Sequence, residues 1–348
     1  MDSSAFDYEL PPGAIAQHPI EKRDSARLLV DRGPSETIDH RVVRDLADLL
    51  EPGDLLVVNT TRVLPARLAL RRDTGGAAEV LLLERTGRVA FGSIWEALVR
   101  PSRKIVPGSV LVTPDGGQEL MVIVGEDLGE GRRTVELRTE VDELDALARH
   151  GVMPLPPYIT ERLEDPSRYQ TVFAERPASA AAPTAGLHLT DEVFAALNAR
   201  GVGRADVELV VGLGTFRPIA TERVEDHVMH AESYNVPPAT MEACLRTKEA
   251  GGRVVAIGTT AVRALESAAS SGELSGRTEL FISGDHQFRI VDRLLTNFHL
   301  PRSSLLVMID SFMGPRWRQL YMEALSEQYR FLSFGDAMLL TRHDLWTD

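Results

Sequence analysis

The sequence of 348 residues has a single cysteine, Cys244, so no disulfide can form within the chain. We interpret Cys244 as a small apolar filler of a helix predicted over 239–250, rather than as a nucleophile. No run of about 18 apolar residues occurs, and residues 1–7 lack the positive and apolar regions of a signal peptide. These absences predict a cytoplasmic protein that is not associated with a membrane.

Two nucleotide-binding motifs are also absent. The sequence has neither G-x-G-x-x-G nor a Walker loop, which argues against ordinary dinucleotide and nucleoside triphosphate binding. What remains is a globular composition, 43% hydrophobic and 26% charged, in a chain long enough for two domains. The net charge of -13 argues against a protein that coats nucleic acid nonspecifically, although one local basic face is compatible with it.

Residues 60–105 have a net positive charge, opposite in sign to that of the whole chain. This segment has four acidic residues, Asp73, Glu79, Glu84 and Glu96, and nine basic ones, Arg62, Arg67, Arg71, Arg72, Arg85, Arg88, Arg100, Arg103 and Lys104. Two interpretations remain open, a solvated strand surface or a phosphate-binding face.

Short strand-like runs dominate the same region. They are predicted at 66–70, 78–84, 93–99, 109–112, 120–124 and 133–138, and turns rich in glycine and proline separate them. A helix over 141–148 and a proline-rich linker over 153–158 follow. We therefore predict a small all-β barrel over 61–153, inserted into a discontinuous α/β domain formed by 1–60 and 154–348.

Strands and helices alternate in the α/β part. Buried strands are predicted at 54–59, 205–211 and 253–258, and the last leads through Thr259 and Thr260 into a helix that reaches residue 269. Ligands of such folds bind at the carboxyl ends of the strands, where a helix N-terminus offers free N–H groups. Arg263, expected in the first turn, could supply a guanidinium for a carboxylate or phosphate.

Two loops with histidines indicate one pocket. In segment 182–190, Pro183 and a glycine able to adopt positive φ, Gly186, would present Thr184 and His188 before a helix that runs to about residue 200. Segment 295–301 contains Asn297 and His299 and lies before an apolar run, 304–309, that is predicted to be a strand. Each loop by itself would also fit an ordinary turn.

A third polar segment, 226–232, contains His227, His230 and Glu232. On a helix the two histidines would share a face without Glu232, and on a strand His230 and Glu232 would share a face without His227. Because neither geometry collects all three, we predict a hydrogen-bonded polar cluster and no metal.

Taken together, the motifs resemble one family over nearly the whole chain. They are Gln17-His18-Pro19, Thr61-Arg62-Val63-Leu64-Pro65-Ala66-Arg67-Leu68, Met153-Pro154-Leu155-Pro156-Pro157-Tyr158, Ala182-Pro183-Thr184-Ala185-Gly186-Leu187-His188, Gly214-Thr215-Phe216, Asp226-His227, Gly258-Thr259-Thr260, Thr296-Asn297-Phe298-His299-Leu300-Pro301 and Tyr329-Arg330-Phe331. The chain is similar to the S-adenosylmethionine:tRNA ribosyltransferase-isomerases of queuosine biosynthesis.

The resemblance implies a Rossmann-like α/β domain interrupted by a β-barrel. It implies transfer and isomerisation of the ribosyl group of S-adenosylmethionine onto the aminomethyl group of a 7-deazaguanine in the tRNA anticodon loop. The products would be epoxyqueuosine-tRNA, adenine and methionine. The implied partners are S-adenosylmethionine, as co-substrate and without a further cofactor, and tRNA; we expect a monomer.

Such a reaction needs a base beside the sulfonium and hydrogen-bond donors that help adenine to leave. We expect the base to be His188, His230 or His299, because an imidazole is poised near neutral pH. Glu232 would orient an imidazole or hold an amine. The expected substrate-binding residues are Thr184, Thr215, Phe216, His227, Thr259, Thr260, Arg263 and Asn297, and the expected tRNA phosphate contacts are Arg62, Arg67 and Lys104.

Some positions depart from the family pattern. Thr60 replaces an asparagine, Val210 a histidine, segment 283–286 an aromatic loop, and Asp310-Ser311 a small pair. We expect these positions near the active site, where His286 could partly replace a lost stacking platform. Two alternatives stay open: a paralogue that uses S-adenosylmethionine with another nucleobase or small amine, and a non-catalytic RNA-binding protein.

Overall fold

The computed structural model describes residues 1–129, 131–212 and 218–346. It divides into two compact units. The first comprises Met1–Thr61, Pro156–Glu175 and Ala182–Asp348, and the second comprises Arg62–Leu155 and Arg176–Ala181. The short return segment 176–181 was not predicted to belong with the second unit.

The described residues contain seven α-helices. They are α1 (Leu46–Leu49), α2 (Glu143–His150), α3 (Asp191–Ala199), α4 (Pro238–Glu249), α5 (Thr259–Ser271), α6 (Ser304–Met313) and α7 (Trp317–Ser326). The strands of the first unit are β1 (Arg27–Asp31), β2 (Asp39–Val42), β3 (Leu55–Asn59), β13 (Gly203–Leu209), β14 (Glu232–Asn235), β15 (Val254–Ile257), β16 (Ser275–Thr278), β17 (Arg293–Asn297) and β18 (Ala337–Thr341). The remaining strands are β4 (Thr61–Val63), β5 (Arg67–Arg72), β6 (Ala77–Val89), β7 (Gly92–Arg100), β8 (Val110–Val112), β9 (Leu120–Gly129), β10 (Arg132–Thr139), β11 (Gly151–Val152) and β12 (Arg176–Ser179).

One mixed sheet organises the first unit. Its described strands follow the order β16-β14-β13-β3-β15-β17-β18-β1-β2, and β13, β3, β15 and β17 are mutually parallel. Every residue of β3, β15 and β17 is buried, as expected for parallel strands whose two faces are both covered. The carboxyl ends of β15 and β17 therefore share one edge of this sheet, where their polar successors meet.

The α5 N-terminus forms as predicted, with one correction. Gly258 has φ +84°, a conformation that favours glycine, and it connects β15 to α5 within a single residue. Arg263 is the fifth residue of α5 and so lies in its second turn, beyond the predicted first turn. This register turns Arg263 into the protein interior, where it is buried.

The predicted strand over 304–309 is wrong, because this run belongs to α6. Ser303 caps that helix by accepting a hydrogen bond from the backbone N of Leu306 at 3.2 Å. Periodicity could not separate the two structures, since a short run that is apolar on every face fits a buried helix as well as a buried strand.

Gly186 has a different role from the predicted one. Residues Thr184–His188 form a 3₁₀ helix, and Gly186 is not among the glycines with positive φ. A Cβ atom at this position would lie 2.6 Å from Cζ of Phe173, so the glycine allows close packing. The following helix, α3, has the predicted cap, because Oγ1 of Thr190 accepts from the N of Val193.

The main sheet of the second unit is antiparallel, and β12 pairs separately with β4. The described strands of the main sheet follow the order β11-β5-β6-β7-β10-β9-β8, and β5 also pairs with β8. In β7 buried residues alternate with more exposed ones, as a sheet with one packed face requires. Each of the six strands predicted between 66 and 138 overlaps an observed strand.

Two further findings concern single features of the chain. Cys244 is buried on α4, and burial raises the pKa of its thiol to about 12, so little thiolate forms near neutral pH. None of the helices in the described part of the chain has the length and apolarity that a bilayer span requires.

Candidate active site

A cleft lies in the first unit, at the carboxyl ends of β15 and β17. Its position is that of a ligand site in an open α/β sheet. The lining residues are Tyr158, Ala182, Pro183, Thr184, Ala185, Val211, Gly258, Thr259, Thr260, Thr296, Asn297, Phe298, His299, Leu300, Ser303, Leu305, Leu332 and Ser333. The two loops predicted to form one pocket, 182–190 and 295–301, both contribute to this cleft.

A hydrogen-bonded chain connects these two loops. The Thr184 hydroxyl donates to Oδ1 of Asn297 at 2.9 Å, and Nδ2 of Asn297 lies 3.1 Å from Nε2 of His188. Nδ2 also donates to the carbonyl of Asp336 at 3.2 Å, which fixes the orientation of the amide. Asn297 is therefore the donor to His188, whose Nε2 carries no proton in this arrangement.

His188 lies behind Asn297 and is outside the cleft lining in the described structure. Burial, aided by the positive charges of Arg330 and Arg23, lowers its pKa to about 4, although a hydrogen bond with the Arg23 backbone opposes the shift. The Arg23 side chain also donates to the carbonyls of Gln170 and Leu187, which anchors this 3₁₀ helix. His188 is thus a neutral group that holds Asn297.

His299 lines the cleft directly. Burial lowers its pKa to about 3, so the imidazole is neutral near neutral pH. Its Nε2 lies 3.0 Å from the hydroxyl of Thr296. The backbone of His299 is held on both sides, because its N donates to the hydroxyl of Tyr321 at 2.9 Å and its carbonyl accepts from the hydroxyl of Tyr8. Of the three candidate bases, only His299 belongs to the described cleft lining.

The N-terminus of α5 forms another wall of the cleft. Thr259 and Thr260 contribute here, and Gly258 provides the turn. The first backbone N–H groups of a helix have no partner within it, and the helix dipole places partial positive charge at that end. Oγ1 of Thr260 is buried and has no hydrogen-bond partner among the described residues. This wall is suited to an anionic group.

Glu232 and Arg263 form a buried ion pair. The other carboxylate oxygen of Glu232 accepts from the backbone N of Gly212 at 2.8 Å, and Nε of Arg263 donates to the carbonyl of Leu280 at 3.2 Å. Neither residue belongs to the described lining of the cleft. Through Glu232 the pair connects α5 to Gly212, the neighbour of the lining residue Val211. The pair therefore supports the cleft wall without lining it.

The two other predicted histidines also lie outside the described cleft lining. The ring of His227 contacts Phe281 edge-on at 5.5 Å, and burial together with the nearby His230 lowers its pKa. Residues 224–226 form a 3₁₀ turn, and Glu232 begins β14, so segment 226–232 is neither one helix nor one strand. Among the described residues, no three histidine, cysteine or acidic side chains are grouped as metal ligands.

The remaining predicted substrate and phosphate contacts are not among the described residues that line the cleft. Thr215 and Phe216 lie outside the described residues. The three predicted phosphate contacts belong to the second unit. Arg62 and Lys104 are exposed there, while Arg67 forms an ion pair with Glu79 at 3.0 Å.

None of the positions that depart from the family pattern lies among the cleft-lining residues that the structure describes. Thr60 is buried and its backbone N donates to the carbonyl of Val207, and Val210 is buried as well. Asp310 accepts from the indole of Trp317 at 2.8 Å. His286 contacts the ring of Phe288 edge-on at 4.9 Å. These contacts identify structural roles.

Several lining residues were not predicted as site residues. The hydroxyls of Tyr158 and Ser333 lie 2.7 Å apart at one side of the cleft. Leu332 beside them has φ +69°, which is unusual for a branched residue and typical of a backbone held in place by its surroundings. Tyr158 follows a proline-rich segment, but no local pattern pairs it with residue 333, which is 175 positions away.

An α/β sheet with a cleft at the carboxyl ends of its parallel strands is typical of proteins that bind a small molecule there. Residues 3–340 match the family described as queuosine biosynthesis protein. The chain belongs to this family.

Relatives of similar length share close to half of their residues with the chain. An S-adenosylmethionine:tRNA ribosyltransferase-isomerase from Rubrobacter xylanophilus is 50% identical, with 98% of each chain covered. One from Symbiobacterium thermophilum is 48% identical, covering 98% of this chain and all of the relative. A crystal structure of S-adenosylmethionine tRNA ribosyltransferase from Thermotoga maritima matches 97% of this chain and 99% of its own, with 38% identity and a TM-score of 0.55.

Proposed function

We propose that the protein is an S-adenosylmethionine:tRNA ribosyltransferase-isomerase. It transfers and isomerises the ribosyl group of S-adenosylmethionine onto the aminomethyl group of 7-aminomethyl-7-deazaguanine in tRNA. The products are epoxyqueuosine-tRNA, adenine and methionine, and no further cofactor takes part. The observation that carries this proposal is the cleft of the first unit, which gathers hydroxyls, an amide and a neutral imidazole at the carboxyl ends of two parallel strands in a chain of this family.

S-adenosylmethionine binds in this cleft. The methionine carboxylate lies at the N-terminus of α5, where Thr259, Thr260 and free backbone N–H groups compensate its charge. Arg263 contributes indirectly, because Glu232 already holds its guanidinium.

The reaction requires removal of a proton next to the sulfonium. His299 accepts this proton, since it lines the cleft and burial keeps it in the neutral form. Its low pKa makes it a weak base in the free protein, and the imidazolium gains a compensating charge only as negative charge develops on the carbon beside the sulfonium. The side-chain oxygens of Thr184 and Asn297 accept hydrogen bonds from the ribose or the adenine, because the hydrogens of both groups already have partners, while His188 holds Asn297 in position.

The second unit is an inserted small barrel, approximately residues 61–153, within a Rossmann-like domain. Support comes from the pairing of β5 with both β6 and β8, which places six strands in a closed ring of neighbours. The exposed Arg62 and Lys104, together with Arg67, contact tRNA phosphates near the anticodon loop. The protein acts as a monomer in the cytoplasm.

Adenine release tests this function. The protein is incubated with S-adenosylmethionine and tRNA that carries the aminomethyl-deazaguanine, and adenine and modified tRNA are both measured. We expect equal amounts of the two products from the wild type. His299→Gln should lower turnover at least a hundredfold, the usual contribution of a positioned base, whereas the matched change of the exposed His18 to Gln should not. Absence of adenine from the wild-type reaction would contradict the proposed function. Full activity of His299→Gln would contradict the assignment of His299 as the base.

A further inference from the structure

The tip of the β6–β7 hairpin exposes an aromatic ring. Two residues, Ala90 and Phe91, connect these strands, and Phe91 is 77% exposed. Val89 beside it is 41% exposed. Ring and hairpin border a groove of about 660 Å³ within the second unit. We call this feature the hairpin groove; its lining residues include Arg85, Arg88, Phe91, Glu143 and Arg176.

The acidic side chains of the hairpin groove already have partners. Asp142 accepts from the backbone N of Leu144 as the cap of α2. Glu143 accepts from the hydroxyl of Ser93, and its other oxygen lies 3.6 Å from Arg85. No such partner occurs for Arg88 among the described residues, so its positive charge is available to a ligand.

We propose that the hairpin groove binds an unpaired nucleotide of tRNA, with Phe91 stacked on the base and Arg88 paired with a phosphate. The inference rests on the proposed function, which makes tRNA a substrate. Stacking on an aromatic ring next to arginine is how proteins hold single-stranded nucleic acid. This contact would be additional to those of Arg62, Arg67 and Lys104.

Charge distinguishes RNA from a protein partner at this surface. The centres of protein interfaces are depleted in charged residues, whereas three arginines and two acidic residues line the groove together with Phe91. The hairpin also belongs to the segment 60–105, in which nine basic residues exceed four acidic ones although the whole chain has a net charge of -13. A polyanion is attracted to such a local reversal of sign.

Equilibrium binding of full-length tRNA to the full chain tests the proposal. Phe91→Ala should weaken binding roughly five- to a hundredfold, which corresponds to one lost stacked base, with little change in the dependence on salt. Arg88→Gln should weaken binding and reduce the slope of log affinity against log salt by about 0.7, as expected for one lost phosphate contact on a single strand. The matched controls Met322→Ala (66% exposed) and Arg44→Gln (exposed) lie in the first unit and should bind as the wild type does.

Phe91→Trp provides a direct readout. A base stacked on the new indole should quench its fluorescence as tRNA is added. Heparin, a polyanion without bases, should not quench it. Wild-type affinity of both Phe91→Ala and Arg88→Gln for tRNA would overturn the proposal. If the sedimentation of these variants also changed, the hairpin groove would instead bind a protein partner. Adenine release by the wild type is measured in parallel: its absence would refute the proposed function, whereas normal release with unchanged tRNA binding by the variants would refute only the groove.

Discussion

Acidification from pH 7 to pH 5 should destabilise the protein through two buried imidazoles. In the folded state, burial lowers the pKa of His188 to about 4 and that of His299 to about 3. Once unfolded, each titrates near its ordinary value of about 6.5. Between these values the unfolded chain binds protons that the folded chain rejects, so stability is fully present above pH 6.5 and is lost as the pH falls below it.

The free energy of unfolding that is lost depends on how far the pH lies below the ordinary pKa of histidine. At pH 5 the unfolded imidazole is about 1.5 units below its pKa, and each unit corresponds to about 1.4 kcal/mol, so each histidine costs about 2 kcal/mol. Both folded groups are still neutral at this pH, and the two contributions add to about 4 kcal/mol. This is a large part of the roughly 5–15 kcal/mol that stabilises a typical protein.

Urea unfolding at pH 7 and pH 5 measures this loss. We compare the change between the two pH values within each protein, so any destabilisation common to both pH values cancels. His188→Asn and His299→Gln should each lose about 2 kcal/mol less than the wild type. His18→Gln, a change at an exposed histidine, should lose as much as the wild type. If all four proteins lost the same free energy, burial would not be keeping the two imidazoles neutral.

Three further substitutions probe the packing around the cleft. Gly186→Ala should cost about 1–3 kcal/mol of unfolding free energy, because the added methyl group meets Phe173 at 2.6 Å. Glu232→Ala should cost about 3–5 kcal/mol in the same urea assay, since it leaves Arg263 buried and without its carboxylate. Tyr8→Phe should lower kcat for adenine release about two- to tenfold with little change in KM, because it removes one hydrogen bond of about 0.5–1.5 kcal/mol to the cleft backbone.

Matched substitutions control these three. Gly13→Ala adds a methyl group where no atom lies within 4 Å, and Glu9→Ala removes an exposed carboxylate; both should leave the urea midpoint unchanged. Tyr234→Phe removes hydroxyl contacts with Ser271 and Glu273, away from the cleft lining, and should leave kcat unchanged. Equal effects of a test variant and its control would contradict the corresponding reasoning.

The local signals of the sequence were sufficient where one residue type determines the backbone. Gly258 and the threonines after it marked the turn from β15 into α5, and Thr190 marked the start of α3. The run 304–309 was misassigned because the five apolar residues after Ser304 have no polar face that would reveal their period. Gly186 does not have the predicted positive φ, because its role depends on the packing of Phe173, a contact that no local sequence pattern indicates.

The candidate site was predictable in part for a similar reason. Thr184, Asn297 and His299 could be named because each belongs to a short segment with polar side chains at the end of an apolar run. The ion pair of Glu232 and Arg263 could not be derived in that way, because its partners come from different elements 31 positions apart. Their charges suggested contact with substrate, and the structure shows in addition that each is paired with the other.

The place of β18 in the sheet has a consequence for protein synthesis. This strand pairs with β1 on one side and β17 on the other, so the β1–β2 hairpin joins the sheet only through residues near the end of the chain. At about 5–20 residues per second, the ribosome needs roughly 15–60 s to progress from β1 to β18. During this time β1 can pair with β2, but its edge facing β18 has no partner strand, whereas residues 62–155 can already pair among themselves. The second unit therefore has the opportunity to fold first, and nascent chains would need protection against aggregation at β1.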